Sequence, residues 1–326
     1  MLEADVEVDR RDFRVAVSLE VAAGERLALF GPSGSGKTTA LEMIAGLLPP
    51  DRGRVTLSGR VLTQTWPPRR AVPPWRRRIG LLRQGPALFP HLTVRQNLEY
   101  GAGPRADHAA TTALAAKLGI GELLGDRPAR LSGGQAHRAA LGRLLLAHCD
   151  ALLLDEPYTG LDSGLRRGLT ALVRSIAAER EVPAILVAHE LPDAQAFADR
   201  LAVLDAGRLL QTGPSDEVVR RPASRRVAEL VGYRSFVPLA QGVVAAIHPD
   251  RVAPGPQPGR GLVLSGRVSV RHPAGAGWEA ALDCDHGLVW CRLAEPPPAE
   301  MTVTALDAPR YGPDGVLLAR SEGVRA

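Results

Sequence analysis

Gly31-Pro32-Ser33-Gly34-Ser35-Gly36-Lys37-Thr38 is the stretch whose reading decides the fold. It fits G-x-x-x-x-G-K-[ST], the spacing of a phosphate-binding loop. The apolar run Leu27-Ala28-Leu29-Phe30 before it reads as a buried strand, and Ala40-Leu41-Glu42-Met43-Ile44-Ala45 after it reads as a helix. Strand, glycine loop and helix are the context the motif requires. Glycines let successive backbone N–H groups face inward as an anion cradle, and the helix N-terminus adds positive potential. Lys37 can reach the β- and γ-phosphates, and Thr38 supplies a hydroxyl to Mg²⁺. The chain keeps only two lysines, Lys37 and Lys117, among its 40 basic residues. A lysine retained here points to a need for a point charge on a flexible stem.

Outward from this loop, 326 residues suggest two domains, perhaps three. Aromatics are only 4%, so aliphatic side chains and alanine must fill the core. The net charge of +5 comes with arginine runs at Arg69-Arg70, Arg76-Arg77-Arg78 and Arg220-Arg221. These read as solvated faces; without a known module or aromatic interleaving they give no case for a nucleic-acid partner. Cys149, Cys284 and Cys291 have no metal-ligand spacing and point to a reducing compartment. The acidic start is no signal peptide, and no apolar run approaches the roughly 20 residues of a membrane span. A soluble protein is expected, with any membrane role reached through partners.

Along the chain, residues 5–30 read as strands, with Phe13, Val15, Val17, Leu19 and Val21 alternating against polar or small neighbours. Residues 63–78 read as loop, Ile79–Leu82 as a strand, and 106–125 and Ala136–Ala147 as helices. Ala151–Leu154 is an apolar strand, Arg166–Ala178 a helix, Ala184–Ala188 a strand, His189–Asp199 a helix and Leu201–Leu204 a strand. Alternating strands and helices argue for an α/β domain with a largely parallel sheet. From about residue 237 the texture becomes proline- and glycine-rich with short alternating runs, which reads as a small β-barrel or sandwich.

Two further stretches carry chemistry. Leu152-Leu153-Leu154-Asp155-Glu156 ends a strand in two carboxylates: Asp155 is placed to hold Mg²⁺, and Glu156 to orient or deprotonate an attacking water. Leu131-Ser132-Gly133-Gly134-Gln135 opens a helix, giving a second anion-binding N-terminus that a generic phosphate-loop enzyme does not need. With Gln84 after a strand, Gly160-Leu161-Asp162, and His189, the motifs stand in the order of a known family. Over residues 1–235 the chain resembles the nucleotide-binding subunit of an ABC transporter, and the tail resembles the β-rich domain, often called TOBE, of importer ATPases.

The resemblance implies an α/β P-loop NTPase ABC cassette over 1–235. Its RecA-like sheet would carry a helical subdomain at about 86–148, and a small all-β domain would follow over 236–326. It implies ATP and Mg²⁺ as cofactors, with Gly31, Pro32, Ser33, Gly34, Ser35, Gly36, Lys37, Thr38 and Thr39 binding ATP and Thr38, Gln84 and Asp155 serving the metal. Glu156, His189 and Gln84 would be catalytic. Two copies would pair head to tail, with Leu131, Ser132, Gly133, Gly134 and Gln135 covering the partner's ATP and Asp162 at the seam. The loop 85–91, through Leu88 and Phe89, would touch a membrane permease, an extracytoplasmic binding protein would complete the complex, and the chain would lie at the cytoplasmic face of the membrane. Such ATPases often stack adenine on an aromatic near the N-terminus. Val6–Arg10 holds none, and Phe13 is the nearby candidate, although its alternation also suits a core position.

Cargo rests on analogy. Arg77–His91, Asn97–Gly101, Ala28–Gly31 and Gly59–Leu62 look most like molybdate importer ATPases, with sulfate, ferric iron, sugar or polyamine as alternatives. Arg267 and Ser269 are candidate oxyanion donors in the tail; the alternative is a tail that only helps subunits pair. A soluble ABC ATPase acting on ribosomes or DNA would carry two cassettes or a coiled-coil insertion, and neither is present. A binding module without hydrolysis is disfavoured by intact Lys37, Asp155, Glu156 and His189.

Overall fold

Strands β1 (Leu2–Asp9) and β2 (Arg14–Val21) turn every second residue inward, and they pair antiparallel from Leu2 opposite Val21 to Asp9 opposite Arg14. The period-2 pattern of Val15, Val17, Leu19 and Val21 is what buries one face of this ribbon. A computed structural model supplies these coordinates and describes residues 1–10, 13–158, 161–257 and 259–318. The ribbon continues through β4 (Arg52–Leu57), β5 (Arg60–Gln64) and β6 (Arg70–Ala71), all antiparallel. The loop expected at 63–78 therefore contains a short edge strand and a 3₁₀ turn, Pro74–Arg76. The pairing of Gln64 with Arg70 is a ladder contact that local composition does not reveal.

The other half of the same 11-stranded sheet is parallel. Strands β3 (Arg26–Phe30), β7 (Ile79–Leu82), β8 (Ala151–Asp155), β9 (Ala184–Ala188) and β10 (Arg200–Asp205) stand in the order β10-β3-β9-β8-β7, and β11 (Arg208–Pro214) joins them to β2. Strands β8 and β9 are buried at every position, as a sheet covered on both faces requires. Helix α1 (Lys37–Ala45) packs Leu41, Met43 and Ile44 into a core shared by both halves. Buried Arg77 holds the end of α1, donating to Ile44 O at 2.9 Å, Val72 O at 2.8 Å and Thr63 Oγ1 at 2.8 Å.

Between β7 and β8 lie α2 (Val94–Ala102), α3 (His108–Lys117) and α4 (Gly133–Leu146). The helix expected over 106–125 stops at Lys117; Gly119, at φ 63°, ends it and a 3₁₀ turn follows at Gly121–Leu123. After β8, α5 runs Ser163–Glu179 rather than starting at 166, because Asp162 caps it and accepts from the N–H groups of Gly164 and Leu165 at 3.0 Å each. Helix α6 (Leu191–Phe197) follows β9. No helix among the described residues is long and apolar enough to cross a membrane.

The chain divides into two compact units, Met1–Thr212 and Gly213–Ala326, earlier than the boundary expected at 235/236. The difference has a cause within the second unit. Its first helices, α7 (Ser215–Arg220) and α8 (Arg225–Leu230), are stitched to its last strands: Tyr311 Oη donates to Pro222 O at 3.1 Å, and the N–H groups of Arg225 and Leu317 donate to Gly315 O and Ala223 O. The tail holds two antiparallel sheets, in keeping with the small β-barrel or sandwich expected. One is three-stranded, from β12 (Ser235–Pro238), β13 (Val244–Ile247) and β19 (Arg310–Tyr311). The other is five-stranded, in the order β14 (Val252–Pro254), β18 (Glu300–Leu306), β15 (Gly261–Ala274), β16 (Gly277–Cys284) and β17 (Gly287–Leu293). Leu264, Leu282, Val289, Cys291 and Val303 form its separate core.

Candidate active site

The carboxyl ends of β3, β8 and β9 converge at one rim of the sheet, where open α/β sheets bind ligands. At the end of β3 the chain passes so close to β10 that a Cβ on Gly31 would lie 1.9 Å from Leu204 O; only glycine fits. Gly36, at φ 102°, forms the N-cap of α1 with no side-chain cap, so the first N–H groups of the helix stay open. Lys37 is buried, and its Nζ donates to Gly31 O at 2.9 Å, Pro32 O at 2.7 Å and, more weakly, Ser35 Oγ at 3.4 Å. Burial pushes its ammonium pKa down, against the opposing pull of Glu156 and Asp155. The ammonium thus curls back on its own loop and needs only a small swing to meet an anion held by that loop.

Thr38 Oγ1 donates to Asp155 Oδ2 at 2.9 Å, joining the start of α1 to the end of β8. Asp155 is buried, and desolvation raises its pKa more than the Thr38 hydrogen bond and Lys37 lower it. Its second oxygen, Oδ1, is buried with no partner. A buried carboxylate oxygen left bare beside a threonine hydroxyl suits a hard cation that takes oxygen ligands. No cluster of three or more His, Cys, Asp or Glu side chains able to hold a metal occurs among the described residues. Any such ion would rest on Thr38, Asp155, Gln84 and oxygens from water and substrate.

Glu156 follows in a left-handed conformation, φ 49°, unusual for a non-glycine residue. Its Oε2 stands 3.6 Å from His189 Nδ1, which is carried just past the end of β9. Glu156 also lines a cavity of about 660 Å³ with Ser33, Gly34, Gly36, Lys37, Thr38, Thr39 and Gln84. The structure therefore brings together the phosphate loop, both carboxylates, Gln84 and His189. Sequence reasoning missed Asp9 and Arg10, which line the same cavity. Phe13 lines it too, while packing partly against the core.

Residues 131–135 do not line this cavity. Ser132 caps α4 through a reciprocal box, its Oγ accepting from Gln135 N at 3.3 Å and its N–H donating to Gln135 Oε1 at 2.8 Å. Ser132 and Gly133 are exposed. Asp162 is exposed at the N-cap of α5, and the Leu165 N–H hydrogen bond holds its carboxyl below the usual range. Gly160 lies outside the described residues. Phe89, expected to reach a partner, is also held by its own chain: its ring packs at a tilt against Tyr100, centroids 4.5 Å apart, lies under Arg143 at 5.2 Å, and both its N–H and C=O bond to Asn97. Tyr100, at 63% exposed, is the aromatic this cluster turns outward. In the tail, Arg267 and Ser269 are exposed, and Ser269 donates to Ala281 O at 3.2 Å.

Comparison with known proteins agrees with this geometry. Residues 15–159 match the family described as ABC transporter. The chain is similar to a molybdenum import ATP-binding protein ModC of Mycobacterium tuberculosis, 43% identical over 230 residues, 68% of this chain and 62% of the relative. It is similar to a sulfate/thiosulfate import ATP-binding protein CysA 2 of Chromobacterium violaceum, 42% identical over 225 residues, 68% of this chain and 60% of the relative. It is similar also to an Fe(3+) ions import ATP-binding protein FbpC of Pseudomonas fluorescens, 42% identical over 232 residues, 70% of this chain and 65% of the relative. The chain thus spans less than two thirds of these relatives. A solved ATP-binding subunit of an ABC transporter superposes with a TM-score of 0.58 at 26% identity, covering 71% of this chain and 95% of that one. The fold is an ABC cassette followed by an antiparallel β region.

Proposed function

We propose, from the premise of an ABC cassette in the first unit, that this chain hydrolyses ATP to drive import through a membrane ABC transporter. The observation that carries the reading is the facing of Glu156 and His189, 3.6 Å apart, at the same sheet rim as Lys37. The open N–H groups of the loop and of α1 bind the triphosphate, and Lys37 swings from Gly31 O and Pro32 O to the β- and γ-oxygens. Thr38, Asp155 and Gln84 would hold Mg²⁺, which when bound would supply positive charge against the charge developing on the phosphates. Glu156 accepts the proton of the attacking water, and His189 orients that water and the γ-phosphate.

Because residues 131–135 stand apart from the cavity of their own chain, the pocket is completed by a second copy, whose Ser132 and Gly134 cover the γ-phosphate. Asp162 lies at that seam. ATP favours the closed pair and its hydrolysis releases it, an effect of differential affinity for two states. The loop 85–91 receives the permease, and the chain works as a peripheral subunit at the cytoplasmic face, alongside an extracytoplasmic binding protein. The proposed cargo is an oxyanion, molybdate first, on the similarity of residues 77–91 and 97–101 to molybdate importer ATPases. Relatives named for sulfate and for Fe(3+) stand at nearly equal identity, so ferric iron is the second reading.

Glu156→Gln should slow phosphate release by roughly a hundredfold or more while ATP is retained. Parental turnover in that variant would remove Glu156 as the base. Uptake of molybdate, sulfate and ferric iron by cells with and without the chain decides the cargo; loss of iron uptake alone selects the second reading.

A further inference from the structure

One guanidinium outside the nucleotide cavity ties the start of α5 to the residues around His189. Arg166 Nη2 donates to Leu161 O at 3.4 Å, in the turn that precedes Asp162. Its Nη1 donates to Glu190 Oε2 at 3.0 Å and to both Asp193 oxygens at 3.2 and 3.4 Å. Glu190 in turn sets its other oxygen 3.8 Å from His189 Nε2, and His189 Nδ1 faces Glu156. A cavity of about 120 Å³ is lined by Glu156, Tyr158, Arg166, His189, Glu190 and Asp193, so these groups share one space. The imidazole therefore stands between two carboxylates, one assigned as the base and one tethered by Arg166.

We propose that Arg166 is a positioning residue that couples the Leu161–Asp162 turn to the orientation of His189, by holding Glu190 off the imidazole. This rests on the ATPase reading above. The physical reason is competition. An anchored Glu190 shares its charge with a planar guanidinium fork that has three other acceptors to fix its place. A released Glu190 can close its 3.8 Å separation from His189 Nε2 and draw the ring away from Glu156. Because the same guanidinium is bonded to the backbone beside Asp162, a shift of that turn when a second copy docks moves Arg166, and through Glu190 it moves His189. The device makes His189 register the presence of a partner before any hydrolysis.

The test measures phosphate release against ATP concentration for the full chain, together with binding of a fluorescent trinitrophenyl-ATP. Arg166→Gln is expected to lower kcat by about 10- to 100-fold while KM and probe affinity stay within about twofold. Arg166→Lys, which keeps the charge beside Glu190, recovers most of that loss. Adding Glu190→Gln to Arg166→Gln recovers part of it, because the competing carboxylate is gone. Should Arg166→Gln fail to fold, Arg166→Met carries the test, with the same loss of kcat at unchanged KM and part of it recovered by adding Glu190→Gln. A parental kcat in Arg166→Gln, a KM that rises in step with the loss, or no recovery with lysine overturns the coupling. A parental chain that neither binds the probe nor releases phosphate overturns the ATPase reading itself, and the coupling with it.

Discussion

Two glycine-rich segments open helices in the first unit, and they are built on opposite plans. At Gly31–Thr38 the shape is forced by the backbone: Gly31 abuts Leu204 O, Gly36 sits at φ 102°, and α1 begins with no side-chain cap. At Leu131–Gln135 the helix caps itself, Ser132 and Gln135 satisfying each other's N–H groups. The first keeps its donors open and rigid for a resident anion. The second satisfies the Ser132 and Gln135 N–H groups with its own side chains, and Ser132 and Gly133 stand exposed. One helix start is shaped by backbone sterics; the other is held by a hydroxyl and an amide that can exchange partners.

The largest expected effect breaks the comparison through chain mixing. Lys37→Met and Ser132→Ala should each cut hydrolysis by at least about tenfold when assayed alone. Mixed in equal amounts, they should recover roughly a quarter of parental turnover, because a head-to-tail pair of the two variants contains one intact pocket. Recovery absent on mixing means the two segments serve the same pocket of one chain. A smaller effect sharpens the contrast in stability: Ser132→Ala should lower unfolding free energy by about 1 kcal/mol in urea melts, and Ser132→Gly by only a few tenths. The smallest concerns pH. His137 of α4 is buried with its Nε2 unpartnered, and burial lowers its pKa. Its folded value lies below its unfolded value near 6.5, so it contributes nothing at higher pH and costs stability as pH falls below about 6.5, where only the unfolded chain takes the proton. Urea melts at pH 7.5 and 5.5 should differ less in His137→Gln than in the parent.

The phosphate loop and Asp155-Glu156 were legible because each is a short run whose spacing sets its own geometry; His189 was marked by the resemblance and by its place at the end of an apolar strand. The parallel strands were legible for a related reason: β8 and β9 are continuous apolar runs. What was not legible depends on partners far along the chain. The edge strand at Arg70 needs Gln64 across a ladder, and the cavity wall at Arg10 needs a loop met only after folding. Asp162 was marked for a seam, yet its first task is to start α5 three residues earlier than apolar periodicity suggested. Arg166 carries no motif at all; its importance lies in three acceptors from residues 161, 190 and 193. The boundary at 212 was hidden because the segment of α7 and α8 is bonded to residues 311–317, far along the chain.

That stitching has a consequence for synthesis. A ribosome delivers the whole first unit by residue 212, and that unit can fold as a body while translation continues. Residues 213–234 emerge next but find Tyr311, Gly315 and the N–H of Leu317 only after the rest of the tail has been made. For that interval residues 213–234 hold only their local bonds, such as Tyr233 Oη on Val219 O, and it is there that a cellular protease would meet the nascent chain.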